Sequence, residues 1–406
     1  MDKTKKKSKV DGNNINVKTI EEKANKNFFN KRNIILIILT SLISLGLVFV
    51  TVMFIMDMNW STFFTNIGSG LTHELGWLWL TLLIAFVIIS FVYNYFPVWI
   101  RLRELGIKIK AWQYFVFALS ISFLKGVTPA NFVTDPYTIF WLKTQGVSTS
   151  RATSIIFSNG LLWQSAALLI HLPSFIVIMT KADILLSTLN LAGAIALIVF
   201  MSIGIFIDAV GVLVMVLLCF SKKAHFVLSS IFNWFKKKLH MKYHTKAEIE
   251  EKYKTRATIK NEVISYYRHW GDTVVVVLVL ALYELMIYFS ISPSLMLVNN
   301  GDYQFDVIAA YHSLTMAFNA NRLNLIPGLG VGLEASLLWL LKVLGGIQGG
   351  DSDSQKEFLS QGIFVWRSFF TYFTAVIGLF GFGTLTVYHV SSYKHKKGAF
   401  IESKYE

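Results

Sequence analysis

Nine ionisable side chains stand within or beside long apolar runs: Lys125, Asp135, Asp208, Glu284, His312, Arg322, Glu334, Lys342 and Arg367. At membrane depth a charge costs from about 2.5 kcal/mol to several times that, so each needs a partner or a task. The chemistry open to such groups is ion pairing, head-group recognition or proton abstraction. Beside them lies Pro327-Gly328-Leu-Gly330-Val-Gly332-Leu-Glu334. Its glycines let backbone bend tightly and approach a ligand closely. A half-helix starting near Gly332 would turn free N–H groups toward the bend, where an anion such as a lipid phosphate could sit. A nucleotide loop is excluded, because no Gly-Lys-Ser/Thr and no preceding strand is present.

Each charge also has a plainer reading. Glu334 can pair with Arg322 or Arg367. Asp135, just before Pro136, fits a helix cap. Arg151 stands at the edge of an apolar run, where an interface anchor is expected. Asp208 and Glu284 fit either an interhelical contact or a cavity lining. His171 and His312 read as satisfied polar residues, without the spacing of a metal site. No zinc motif, nucleophile elbow or acidic pair in a long loop is found, so neither a catalytic set nor a cofactor is expected. The single cysteine, Cys219, excludes an intrachain disulfide.

The elements that must position these groups follow from composition. Of the 406 residues, 54% are hydrophobic and 15% charged, and the net charge is +14. The mean hydropathy is +0.53. A soluble domain carries about 25% charged residues, so this is an integral membrane protein. Apolar runs at 34–56, 76–100, 152–180, 189–220, 271–291 and 358–388 are long enough to span. The first is too long for a signal peptide and lacks a cleavage site. The run at 189–220 is long for one helix and short for two. Two more runs are broken: 111–143 at Lys125-Gly-Val-Thr128-Pro129 and at Asp135-Pro136, and 307–344 at Asn319-Ala-Asn-Arg322 and Pro327 to Gly332.

If both broken runs return to their own side, the loops sort by charge. Segments 1–33, 97–110, 143–151, 221–270 and 391–406 then hold 32 of the 38 Lys and Arg. Segments 57–75, 181–188, 292–306 and 345–361 hold two basic residues and eight acids. By the positive-inside rule the first set is cytoplasmic. The expected fold is all-α and polytopic, with about six full spans and two re-entrant hairpins. Both termini face the cytoplasm of a plasma-membrane protein. Residues 1–33 form a basic, disordered tail, 34–390 the membrane domain and 391–406 a second tail. The basic loop at 221–270 contains Phe226 to Trp234 followed by Lys236-Lys-Lys238, which fits an amphipathic helix on the inner leaflet or a solvated loop. Anionic lipid accounts for the basic residues, so no nucleic-acid partner is implied. A homo-oligomer is left open.

The broken runs share an ordered set of residues. Pro129 is followed by Asp135, Trp141, Lys143, Gly146 and Arg151, and Pro327 by Glu334, Trp339, Lys342, Gly345 and Arg367. In both, Trp stands twelve residues after Pro. In opposite orientation the two would form an inverted-topology repeat, a ground plan of membrane transporters.

Thr128-Pro129 with Asp135, then Leu142-Lys-Thr-Gln-Gly146 and Arg151, resembles the first signature of the transmembrane region of bacterial lysylphosphatidylglycerol synthases. Pro327 to Ser336 with Arg367 resembles the second and more specific one, and the likeness covers roughly 34–390. The first departs, with Ala130 after the proline and Asp135 where that family usually has Glu. The resemblance implies a lipid flippase domain standing without the soluble aminoacyltransferase domain, its substrate another modified phospholipid or a glycolipid. It makes Thr128, Pro129, Asp135, Arg151, Arg322, Pro327, Gly328, Gly330, Gly332, Glu334 and Arg367 the candidate binding residues, with membrane lipid as the partner. A membrane-embedded enzyme using Asp135 or Glu334 as base, and a non-transporting scaffold acting through its basic loop, are the competing expectations.

Overall fold

The computed structural model describes residues 58–127, 133–238, 267–322 and 331–385, with isolated residues elsewhere. The apolar run at 34–56 and the predicted tails lie essentially outside the described residues, as do Thr128, Pro129, Pro327, Gly328 and Gly330.

The described chain is helical, in the order α1 (Trp60–Thr72), α2 (Gly76–Asn94), α3 (Phe96–Glu104), α4 (Ala111–Val127), α5 (Thr134–Thr144), α6 (Thr149–Met179), α7 (Ala182–Thr188), α8 (Leu191–Phe220), α9 (Lys222–Lys238), α10 (Trp270–Phe289), α11 (Ile291–Val298), α12 (Val307–Ala320), α13 (Val331–Leu344) and α14 (Ser352–Arg367). A π-helical stretch, Ser368–Phe373, follows α14 directly, and the helix runs on to Leu385. Five helical segments are long and apolar enough to cross a bilayer: Gly76–Glu104, Arg151–Met179, Leu191–Leu217, Trp270–Val298 and Ser352–Leu385. They coincide with the five expected spans after the first. Asn190 caps α8, its Oδ1 accepting from Gly193 N at 2.7 Å, and the 30 residues that follow form one helix. With no proline and no polar break before Ser221, nothing divides that run.

Both broken segments are pairs of short helices. α12 and α13 have 14 residues each, about 21 Å, short of the roughly 30 Å of a hydrocarbon core. They pack together and their far ends meet. Asp306 N–H donates to Gly345 O at 2.9 Å, and Gln304 and Gln348 exchange backbone hydrogen bonds at 3.1 and 2.9 Å. Segment 307–344 therefore folds back to where it began. Asp306 fixes its entry, accepting from Ile308 N at 2.8 Å and Ala309 N at 3.1 Å.

α4 and α5 also pack together, with Phe117 of α4 stacked on the buried Trp141 of α5 at 3.9 Å between centroids. Gly146, at φ +89°, ends α5. Its N–H reaches Lys143 O and the next N–H reaches Leu142 O at 3.1 Å, a glycine-terminated helix end. Gly106 ends α3 in the same way after Leu102-Arg-Glu-Leu.

One apolar core surrounds the second broken segment and includes Leu314, Leu337, Leu340 and Trp366. Another surrounds the first, with Val98, Phe117, Trp141 and Ala152. Loops expected on one side gather at one end: Asn66 of α1 bonds Gln361 of α14 and Asn300, and Tyr303 stacks on Phe358. Exposed Lys342 belongs to the same end, donating to Ser352 Oγ at 3.0 Å.

The basic loop does contain a helix, α9. Val227, Ile231, Trp234 and Phe235 are exposed on it, between Lys222-Lys223 and Lys236 to Lys238.

Candidate site at the tip of the second helical hairpin

The tip of the α12–α13 pair brings a cation and an anion together, each answered from another helix. α12 ends at Ala320, with Asn321 as its cap and Arg322 N–H bonded to Asn319 O at 3.1 Å. Arg322 Nε lies 3.2 Å from Asp208 Oδ1, in the middle of α8. Its guanidinium rests over the Trp163 ring at 5.2 Å from the centroid, a cation–π contact. Arg322 is 23% exposed and Asp208 is buried.

On the other side of the tip, Glu334 occupies the first turn of α13 and accepts from Arg367 Nε through Oε1. Arg367 also donates to Thr371 Oγ1 at 3.1 Å and lies 5.3 Å from the Trp366 ring centroid. The π-helical turn starts one residue after Arg367. Such turns recur at functional sites, where they re-aim side chains within a long helix. Trp366 is fixed by its Nε1–H, donated to Ser290 Oγ at 2.9 Å. Two buried acceptors remain, since Glu334 Oε2 and the Tyr372 hydroxyl have no hydrogen-bond partner among the described residues. Burying such atoms unpaired costs about 1–3 kcal/mol each.

Behind Arg322 lies a polar network that the sequence did not disclose. Asp208 Oδ2 is 2.6 Å from His171 Nδ1, and His171 Nε2 is 2.8 Å from the Tyr288 hydroxyl. Gln164 Nε2 donates to Asp208 Oδ1, and Asn319 Nδ2 to Oδ2 at 3.3 Å. Four polar groups from α6, α12 and the hairpin tip thus surround one carboxylate of α8, with Tyr288 of α10 behind His171. Gly204, one turn before Asp208, makes this approach feasible: a Cβ there would run into Asn319 O and Oδ1. A similar closeness occurs at the tip, where a Cβ on Gly332 would meet Asn321 Oδ1.

The first broken segment has its own charged pair. Lys125, near the end of α4, lies within Coulombic range of Asp135 and of buried Glu284 on α10. Its Nζ is 5.5 Å from the centroid of the Tyr95 ring. Asp135 does not cap α5. Val133 is the cap residue, and Asp135 stands inside the first turn, because the helix begins ahead of Pro136.

The candidate residues therefore divide. Arg322, Gly332, Glu334 and Arg367 gather around the second hairpin. Asp135 belongs to the first. Arg151 is exposed at the start of α6, its N–H donated to Ser148 Oγ at 3.4 Å. The paired columns of the suspected repeat differ in environment: Trp141 is buried and Trp339 is 41% exposed, while Arg151 is exposed and Arg367 lies largely inside. Other columns correspond: Asp135 and Glu334 stand in the first turn, and Lys143 and Lys342 in the last turn, of a second half-helix, with Gly146 and Gly345 just beyond its end. His312 is satisfied by Ser174 Oγ at 2.9 Å. Among the described residues no cluster of His, Cys, Asp and Glu could hold a metal ion.

No family model matches the chain. It is 24% identical over 307 residues to the uncharacterized protein MG306 of Mycoplasma genitalium, covering 74% of this chain and 76% of that one. It is 24% identical over 362 residues to the MG306 homolog of Mycoplasma pneumoniae, covering 86% of this chain and 90% of the relative. The likeness thus runs through most of the membrane-embedded helices. No solved structure matches.

Proposed function

We propose that this chain is a multi-pass plasma-membrane lipid translocase of the flippase type, with both termini in the cytoplasm. It would move a modified phospholipid or a glycolipid between leaflets. Its membrane domain has six full spans and two re-entrant hairpins of opposite orientation, α4–α5 and α12–α13. The carrying observation is the hairpin tip, where Arg322 and Glu334 are each held by a partner on a separate long helix.

That arrangement suits a polar head group passing through an apolar barrier. Arg322 and Arg367 supply charge for a phosphate, as planar guanidinium groups do well. Glu334 Oε2 and the Tyr372 hydroxyl offer open valences for a hydroxyl or ammonium group on the lipid. The internal carboxylates keep the site near neutral when empty, so the cations remain tolerable in a low-dielectric interior. Asn321 and Arg322 leave the helix as turn residues beside the buried Asp208 of α8, and non-helical chain at such a place is tolerated where protein encloses it. Glu334 held against Arg367 is a poor general base, and this disfavours the enzyme reading. A scaffold would have no use for buried opposed charges.

The test is a leaflet-exposure assay with the full chain in phosphatidylglycerol–phosphatidylethanolamine vesicles, using a fluorescent short-chain phosphatidylglycerol. Wild type should speed its movement between leaflets and Glu334→Ala should lose most of that gain. Equal rates in wild type and variant would overturn the proposal.

A further inference from the structure

The network behind Arg322 is more elaborate than an ion pair requires. Asp208 is ionised in the arrangement seen, since four donors converge on it: Gln164, Asn319, Arg322 and the ring of His171. That places the His171 proton on Nδ1 and leaves Nε2 to accept from the Tyr288 hydroxyl at 2.8 Å. Glu284 is also buried and stands one turn before Tyr288 on the same face of α10. Glu284 lies in Coulombic range of Lys125 at the first hairpin. The row Glu284–Tyr288–His171–Asp208–Arg322 therefore joins the surroundings of the first hairpin to the tip of the second. Rows of acid, histidine and tyrosine at membrane depth are a recognised means of carrying protons.

We propose that Glu284, Tyr288 and His171 form a proton relay that controls whether Arg322 is paired with Asp208 or free for an anionic head group. The inference rests on the translocase reading and adds its energy source. Glu284 takes up a proton from the aqueous phase and gives it to the Tyr288 oxygen while Tyr288 passes its own to His171 Nε2. His171 becomes an imidazolium and Glu284 a carboxylate. Asp208 then has two cations beside one negative charge, in a setting where unlike pairs persist only when they cancel. His171 is buried and fixed from both sides, whereas Arg322 is 23% exposed and has the Trp163 face to rest on. Arg322 is the cation that leaves. When it returns to Asp208, the imidazolium passes its proton through Tyr288 to the Glu284 carboxylate, which releases it to water. One proton taken up thus accompanies one released guanidinium, and so one bound phosphate.

The other charged groups on elements packed against α6 do not enter this switch. Arg101 and Glu104 bond each other on α3. Asp135 and Lys143 belong to α5, which packs against the first turns of α6 around Ala152 and Ile155. His312 of α12 is held by Ser174.

The experiment uses the full chain in detergent and in vesicles. The soluble probe is glycerophosphoglycerol, the deacylated head group of phosphatidylglycerol, a diester whose charge is constant across neutral pH. Wild type should bind it more tightly as pH falls, the affinity rising up to about tenfold per unit as one linked proton demands. His171→Gln, still able to donate to Asp208, should flatten this dependence. In vesicles, an imposed proton gradient should speed wild-type lipid movement and leave His171→Gln unaffected. PH-independent binding by wild type, or an undiminished pH response in His171→Gln with an unchanged melting transition, would overturn the relay. Proton-linked binding by wild type with no lipid movement would overturn the translocase reading while leaving the switch intact.

Discussion

Breaking the Glu334–Arg367 pair separates its structural role from its functional one. Glu334 is buried and Arg367 is 11% exposed, so solvent screens the pair weakly. Glu334→Gln keeps the side-chain shape but leaves the guanidinium facing a neutral amide. Removing one partner of a buried pair costs about 3–5 kcal/mol. The residual exposure of Arg367 and its bond to Thr371 place this case at the lower end, near 3 kcal/mol. Replacing both charges by apolar or neutral groups of similar volume is near neutral or stabilising in such sites. The double variant Glu334→Gln/Arg367→Met should therefore recover most of the loss. Unfolding of the full chain by SDS in mixed micelles, followed by tryptophan fluorescence, measures Glu334→Gln, Arg367→Met and the double variant. A coupling energy below about 0.5 kcal/mol, the scale of exposed pairs, would refute the reasoning. The lipid assay supplies the other half, since the double variant should stay inactive although stable.

Further outcomes follow from the packing. Gly204→Leu should push α8 from α12, because its side chain would start against Asn319. The expected loss is about 1–3 kcal/mol, measured in the same micelles, together with release of Arg322 from Asp208. Spin labels at Val227→Cys and Lys237→Cys, in a Cys219→Ser background, should report oxygen-rich lipid at the first and aqueous nickel complex at the second, if α9 lies on the bilayer. An impermeant maleimide added outside intact cells should label Ser352→Cys and leave Thr144→Cys untouched, if the charge-based orientation is right.

The sequence was most informative where chemistry is one-dimensional. The five later apolar runs are five long helices because length and hydropathy alone set that outcome. The pairing of Glu334 with Arg367 was among the expectations because both stood out as misplaced charges. Asp208 and His171 were also visible singly, yet their union depends on α6 and α8 packing with α12 through Gly204, a tertiary fact with no periodic signal. Gln164 and Tyr288 are ordinary residues by type, and only their contacts with Asp208 and with His171 mark them. Trp141 and Trp339 show the limit of motif spacing: the same column of a suspected repeat is core in one half and surface in the other. The cap of α5 slipped to Val133 because Pro136 is accepted anywhere in a first helical turn, so the Asp-Pro pair did not fix the boundary.

The most direct measurement is the rate at which a fluorescent phosphatidylglycerol becomes accessible to an impermeant quencher in vesicles bearing the full chain. Wild-type rates should lie well above those of empty vesicles, and those of Glu334→Gln/Arg367→Met near empty-vesicle rates despite its retained stability. Lipid movement by that variant at the wild-type rate would contradict the central claim that these charges carry the head group.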